Sequence, residues 1–237
     1  MKAARSPCML LGALFVAACG ASTAPSPALQ QLDATPTAPV EEHAVRGAAI
    51  REAVERGDLN EAKVAANALV AYVTKYEKPA PESRLEAMVM ATRQVANAKD
   101  MPDAARSFAM LSERCGECHT AIGGPASAPA KPPSDTLGVV PRMRRHHWAA
   151  ARLWEGLVAP SDEAWKSGAQ VLSEAPLKPE TVPGKTSVPE IDKLAASVHD
   201  LGVQATTATK ASARVEVYGE LLTTCGACHQ RTSRSKP

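Results

Sequence analysis

Aromatic side chains are scarce in this chain of 237 residues, which has three Trp, three Tyr and two Phe. A helical core lined with alanine packs poorly unless something large and apolar fills it, so the scarcity points to a filler the polypeptide does not itself encode. No stretch shows the two-residue alternation or β-branched enrichment of a sheet strand. Recognisable catalytic patterns are also missing. No Ser/His/Asp set, phosphate loop or paired carboxylates stand out, and the chain reads as a protein without substrate turnover, not an enzyme.

Charge of one sign is not in excess either. The sequence carries 27 Lys and Arg against 25 Asp and Glu. Two of the basic residues, Lys2 and Arg5, precede the apolar run Met9–Ala18 and the small residues before Cys19. Charge, then apolar run, then small residues is the order of an export signal, here residues 1–18, and the run is too short to span a membrane. Without it the chain holds 25 charges of each sign, which gives no general attraction for nucleic acid. "VAAC", residues 16–19, resembles the lipobox of bacterial lipoproteins. That resemblance implies lipidation of Cys19 and anchoring on the periplasmic side of a bacterial membrane. An ordinary signal cleaved nearby would instead leave Cys19 as a spare thiol. Residues 19–40 are rich in Ala, Pro, Ser and Thr and read as a flexible tether.

Six cysteines are present. Cys8 leaves with the signal and Cys19 sits at the lipobox. The other four form "CGECH", residues 115–119, and "CGACH", residues 225–229. An exported chain ordinarily spends cysteines on disulfides at varied spacings. Here all four belong to one pattern, used twice.

The pattern closes each half of an internal repeat. With His43 set over His146, Ile50 meets Leu153, Val54 meets Leu157, Ala66 meets Ala169 and Leu69 meets Leu172. Asp58, followed by Glu61, and its counterpart Ser161 are both good helix N-caps. Towards the motifs the offset rises from 103 to 110, and the proline-rich stretch 175–190 is the place for the seven extra residues. Beyond it Gln94 meets Gln204, Phe108 meets Tyr218 and Leu111 meets Leu221. Composition and proline positions predict four helices per half, near 41–56, 59–76, 83–99 and 102–118, then 141–158, 162–174, 190–209 and 212–228. The expected fold class is all-α, with two tandem four-helix-bundle-like domains at 41–122 and 139–232, joined by a Pro/Ala-rich linker at 123–138.

Cys-x-x-Cys-His is the attachment pattern of c-type haem. On a helix the first cysteine and the second, three residues on, share a face, and the histidine lies beside them. One turn can offer two thiols to the haem vinyl groups and an imidazole to the iron. Cys115, Cys118 and His119 would hold one haem, and Cys225, Cys228 and His229 a second. A haem in each bundle also supplies the missing filler. A thioredoxin-like pair would need a strand–helix context and no histidine. A zinc site would need both cysteine pairs brought together.

Only eight residues follow His229, whereas the common small cytochrome c fold places its motif near the start. A motif on the last helix resembles class II cytochromes, the cytochrome c′ group. That resemblance implies four-helix haem bundles whose first helix faces the distal side of the iron. The repeat then points to His43 and His146 as distal iron ligands. Each leads a stripe with a small residue one turn on, His43–Gly47–Ile50–Val54 and His146–Ala150–Leu153–Leu157. The neighbouring stripe through Ala44, Ala48, Arg51 and Glu55 reads as solvated at its far end, and His147 would turn away from the haem. Met143 is the best methionine alternative, and His199 reads as packing or surface. The function expected is periplasmic electron transfer with redox protein partners by a lipid-anchored dihaem cytochrome. A haem-based binder or sensor of a small gas such as nitric oxide is the rival, and a dihaem peroxidase a weaker third.

Overall fold

The structure, a computed structural model, describes residues 39–76, 82–124, 126–136, 138–174 and 189–234. The expected export signal, Cys19, almost all of the tether and nearly all of the proline-rich stretch 175–190 lie outside these residues. Among the described residues every regular element is an α-helix. The helices are α1 (Pro39–Arg56), α2 (Leu59–Tyr76), α3 (Glu82–Ala96), α4 (Met101–Ile122), α5 (Val139–Val158), α6 (Asp162–Leu172), α7 (Pro189–Thr207) and α8 (Ala211–Arg234). None is long and apolar enough to cross a membrane.

Local chemistry sets the ends. The Glu61 amide donates to Asp58 Oδ1 at 2.9 Å, and the Ala164 amide to Ser161 Oγ at 3.1 Å, so both expected N-caps satisfy an otherwise orphaned donor. Asp100 caps α4 in the same way, accepting from the Asp103 amide at 2.8 Å, with Pro102 in the first turn. Helix α1 ends in a Schellman arrangement. Gly57, at φ 74°, donates to Val54 O, and Asp58 donates to Ala53 O. A left-handed φ there favours glycine. The equivalent bond at the end of α5 runs from the Ser161 amide to Gly156 O, so the repeat holds at the level of single hydrogen bonds.

Consecutive helices pack along each half, α1 on α2, α2 on α3 and α3 on α4, then α5 on α6, α6 on α7 and α7 on α8. The halves also pack on one another. Helix α4 lies along α8, α1 reaches α8, and α4 reaches α5. Contact between the first and last helix of the same half is slighter than these crossed contacts. The core is alanine-rich, as composition requires, with Trp165, Tyr218 and Phe108 the largest fully buried side chains. Trp165 donates from its indole N–H to Ala205 O at 2.8 Å, which satisfies its one polar atom inside the second half.

Within the 123–138 linker, residues 126–136 carry no helix and are tied down by two buried arginines of α5. Arg152 donates to Ala128 O at 2.9 Å, and Arg145 donates to Pro133 O while pairing with Glu174. Each buried guanidinium is thereby matched to acceptors.

Candidate cofactor sites

Both motifs lie in the last turns of the helix that closes their half, α4 or α8, and both helices run on past the histidine. The i, i+3, i+4 spacing turns all three side chains of the second motif toward one apolar cavity, and Cys115 and His119 of the first toward another. The first cavity, about 180 Å³, is lined by Cys115 and His119 of the motif, His43 and Gly47 of α1, and Met88, Phe108 and Leu111. Cys118 is buried on the same turn, outside the lining. The second cavity, about 400 Å³, is lined by all three motif side chains, Cys225, Cys228 and His229, with Met143, His146 and His147 of α5 opposite. The four thiols are unbridged. Among the described residues no three or more His, Cys, Asp or Glu side chains gather where a metal ion could be held, so the cysteine pairs do not converge on one tetrahedral site.

Each repeat-derived histidine lines the same cavity as the motif histidine of its own half. The rings of His43 and His119 stand with centroids 5.8 Å apart, tilted by 43°. Two imidazoles sharing one metal at the usual metal–nitrogen distance of about 2 Å have centres roughly 6 Å apart, so the separation suits a shared iron. His146 lines the second cavity with His229, and burial, reinforced by Arg142, lowers its pKa to about 4 and keeps the ring neutral. A neutral ring can ligate and a protonated one cannot. Burial also raises the Cys225 thiol well above its ordinary range, and it raises Cys228.

Each motif histidine is fixed from behind. His119 Nδ1 lies 2.6 Å from Val158 O, and His229 Nδ1 lies 2.6 Å from Glu55 O. A carbonyl only accepts, so each Nδ1 carries the proton and donates it, leaving the Nε2 lone pair free for a metal. Val158 and Glu55 correspond in the repeat, and each belongs to the half that does not contain the histidine it holds. Both carbonyls lie at helix C-termini, where the last backbone oxygens need outside partners. The Schellman bonds of α1 take the oxygens of Ala53 and Val54 and leave that of Glu55 to His229.

Glycine permits this approach. A Cβ at Gly116 would stand 2.1 Å from Leu157 O, and one at Gly226 3.0 Å from Val54 O. The residue after the first cysteine of each motif is therefore the contact point with the other half's helix end. Sequence reasoning missed this crossed construction, although glycine at that position in both motifs was its visible trace.

Two expectations are corrected. Arg51 and Glu55, read as a solvated stripe, are only 5% and 6% exposed. The other half covers that face. Arg51 approaches Glu55 Oε1 at 3.4 Å as an ion pair and stacks its guanidinium 5.5 Å over Trp154, which lines the first cavity. Glu55 lines the second cavity and accepts from His147 Nδ1 at 2.9 Å. His147, expected to turn away from the haem, instead lines the second cavity, where that bond raises its pKa and holds its ring against Glu55. His199 donates to Glu174 O at 2.8 Å, a contact that packs α7 on the end of α6.

The side chains that could hold a covalent haem are paired thiols on one helical turn, an imidazole of fixed tautomer and a second imidazole across an apolar cavity, a set complete in the lining of the second cavity and lacking only Cys118 in that of the first. Compared with known proteins, the chain matches no family model, no curated protein and no solved structure.

Proposed function

We propose that the chain is a dihaem c-type cytochrome that carries electrons, each half forming a haem-holding helical unit that resembles the class II type. Cys115, Cys118 and His119 would hold one haem with His43 on the far side, and Cys225, Cys228 and His229 the other with His146. Haem supplies a one-electron ferric–ferrous couple when bound. The chain's own part is to fix ligand tautomers, keep water from the iron and place two sites in one packed unit. Bis-imidazole ligation favours a lower potential than His/Met ligation and closes the iron to added ligands. Electron transfer rather than gas binding is favoured because each motif histidine meets a second histidine across its cavity. Export, lipid anchoring at Cys19, a periplasmic location and redox protein partners belong to the same reading and rest on the sequence.

Magnetic circular dichroism of the oxidised protein tests this reading. Two low-spin, six-coordinate haems support the carrier. A high-spin, five-coordinate signal from either haem would favour the gas binder. A Cys19→Ser variant tests the anchor, and it should partition from membrane to soluble periplasm with its haem content unchanged.

A further inference from the structure

Each motif histidine is held by the half of the chain to which it does not belong. Helix α1 offers His43 to the first cavity from its beginning and the Glu55 carbonyl to His229 from its end. Helix α5 offers His146 to the second cavity and, from its end, the Val158 carbonyl to His119. From His43 to Glu55 the helix advances 12 residues, roughly 18 Å at 1.5 Å per residue. Each of these helices is thus a rigid rod with one end in each site.

We infer that Val158 and Glu55 are positioning residues acting across the halves, so that the electronic character of each haem is set by the helix that supplies the other haem's distal histidine. A carbonyl accepting from Nδ1 raises the basicity of the imidazole, and the negative end of the helix dipole strengthens that effect. A more basic ligand favours the oxidised iron and lowers the potential. The two 2.6 Å bonds are therefore matched devices for holding both potentials down. They also couple the sites, because a displacement of α1 or α5 at one cavity is delivered to the proximal ligand of the other. The inference rests on the two-haem reading.

Gly116 and Gly226 give a way to loosen each bond without touching a ligand. An added methyl at Gly116 meets the Leu157 carbonyl at 2.1 Å and must push the end of α5 away, whereas at Gly226 the nearest contact is 3.0 Å. Gly219 on α8 has 3.4 Å of room and serves as the control.

Covalent haem content of the wild type is read first, because it alone tests the underlying reading. If it is not two, the inference falls with that reading. With two haems in place, a potentiometric titration followed optically is run on each variant. Gly116→Ala should move one of the two midpoints to higher potential, and Gly226→Ala should move the other by less. Gly219→Ala should move neither, and all three should stay closed to carbon monoxide. Midpoints that stay fixed in both motif variants overturn the inference. Should Gly116→Ala or Gly226→Ala fail to fold, the reduced wild type with ¹⁵N-labelled histidine decides. Two Nδ1 protons protected from solvent exchange and coupled to the Val158 and Glu55 carbonyl carbons support the inference, and rapidly exchanging protons overturn it.

Discussion

The rings of His43 and His119 face one another across the first cavity, 5.8 Å between centroids, although 76 positions separate them in the sequence. The relationship makes the distal assignment testable one residue at a time. His43→Ala and His146→Ala should each leave both thioether pairs intact and convert one of two haems to a high-spin form that binds carbon monoxide. His147→Ala should leave both closed, because its ring is engaged by Glu55. A carbon monoxide titration read in the Soret band counts the opened haems. An opened haem in His147→Ala beside a closed His146→Ala would reassign the second ligand.

The Arg51–Glu55 pair should behave as a buried ion pair. Removing one partner of a buried pair costs about 3 kcal/mol or less where, as here, the remaining Glu55 still accepts from His147. Arg51→Met should therefore lower the urea midpoint strongly. Glu55→Met added to it should destabilise by less than the two single changes combined, with a coupling of roughly 1–3 kcal/mol. Strict additivity in the double-mutant cycle would show that the 3.4 Å contact carries no energy.

Much of this was readable in the chain itself. Helix positions followed from alanine-rich stretches broken by proline, and Asp58 and Ser161 cap the helices that their spacing announces. His43 and His146 are proposed as distal ligands because a repeat transfers a position from one half to the other, and the two share a place in it. Crossing of the halves was not readable. A repeat aligns first helix with first helix and motif helix with motif helix, and says nothing of which copy packs against which. Arg51 and Glu55 look polar in a stripe, but Trp154 and His147 of α5 and the packing of α8 on α1 cover that face.

The hydrogen bond from His147 to Glu55 adds a pH dependence of known sign. The bond raises the folded-state pKa of His147 above 6.5. Its contribution is present in full below pH 6.5 and is lost as pH rises through the raised folded value. His147 is half exposed, and solvent screening holds the contribution under about 1 kcal/mol. Subtracting the unfolding free energy of His147→Ala from that of the wild type at several pH values isolates it. The difference should be larger at pH 6 than at pH 9, and a difference that grows with pH would contradict the assignment.

The central claim is that each Cys-x-x-Cys-His turn holds one haem through two thioether bonds, and it comes down to a count. Protein produced in a host able to mature c-type cytochromes should, after acid–organic extraction, retain two haems per chain by pyridine haemochrome. Changing Cys225 and Cys228 to Ala should reduce that count to one. Haem that extracts completely, or wild-type protein that carries none, would contradict the account.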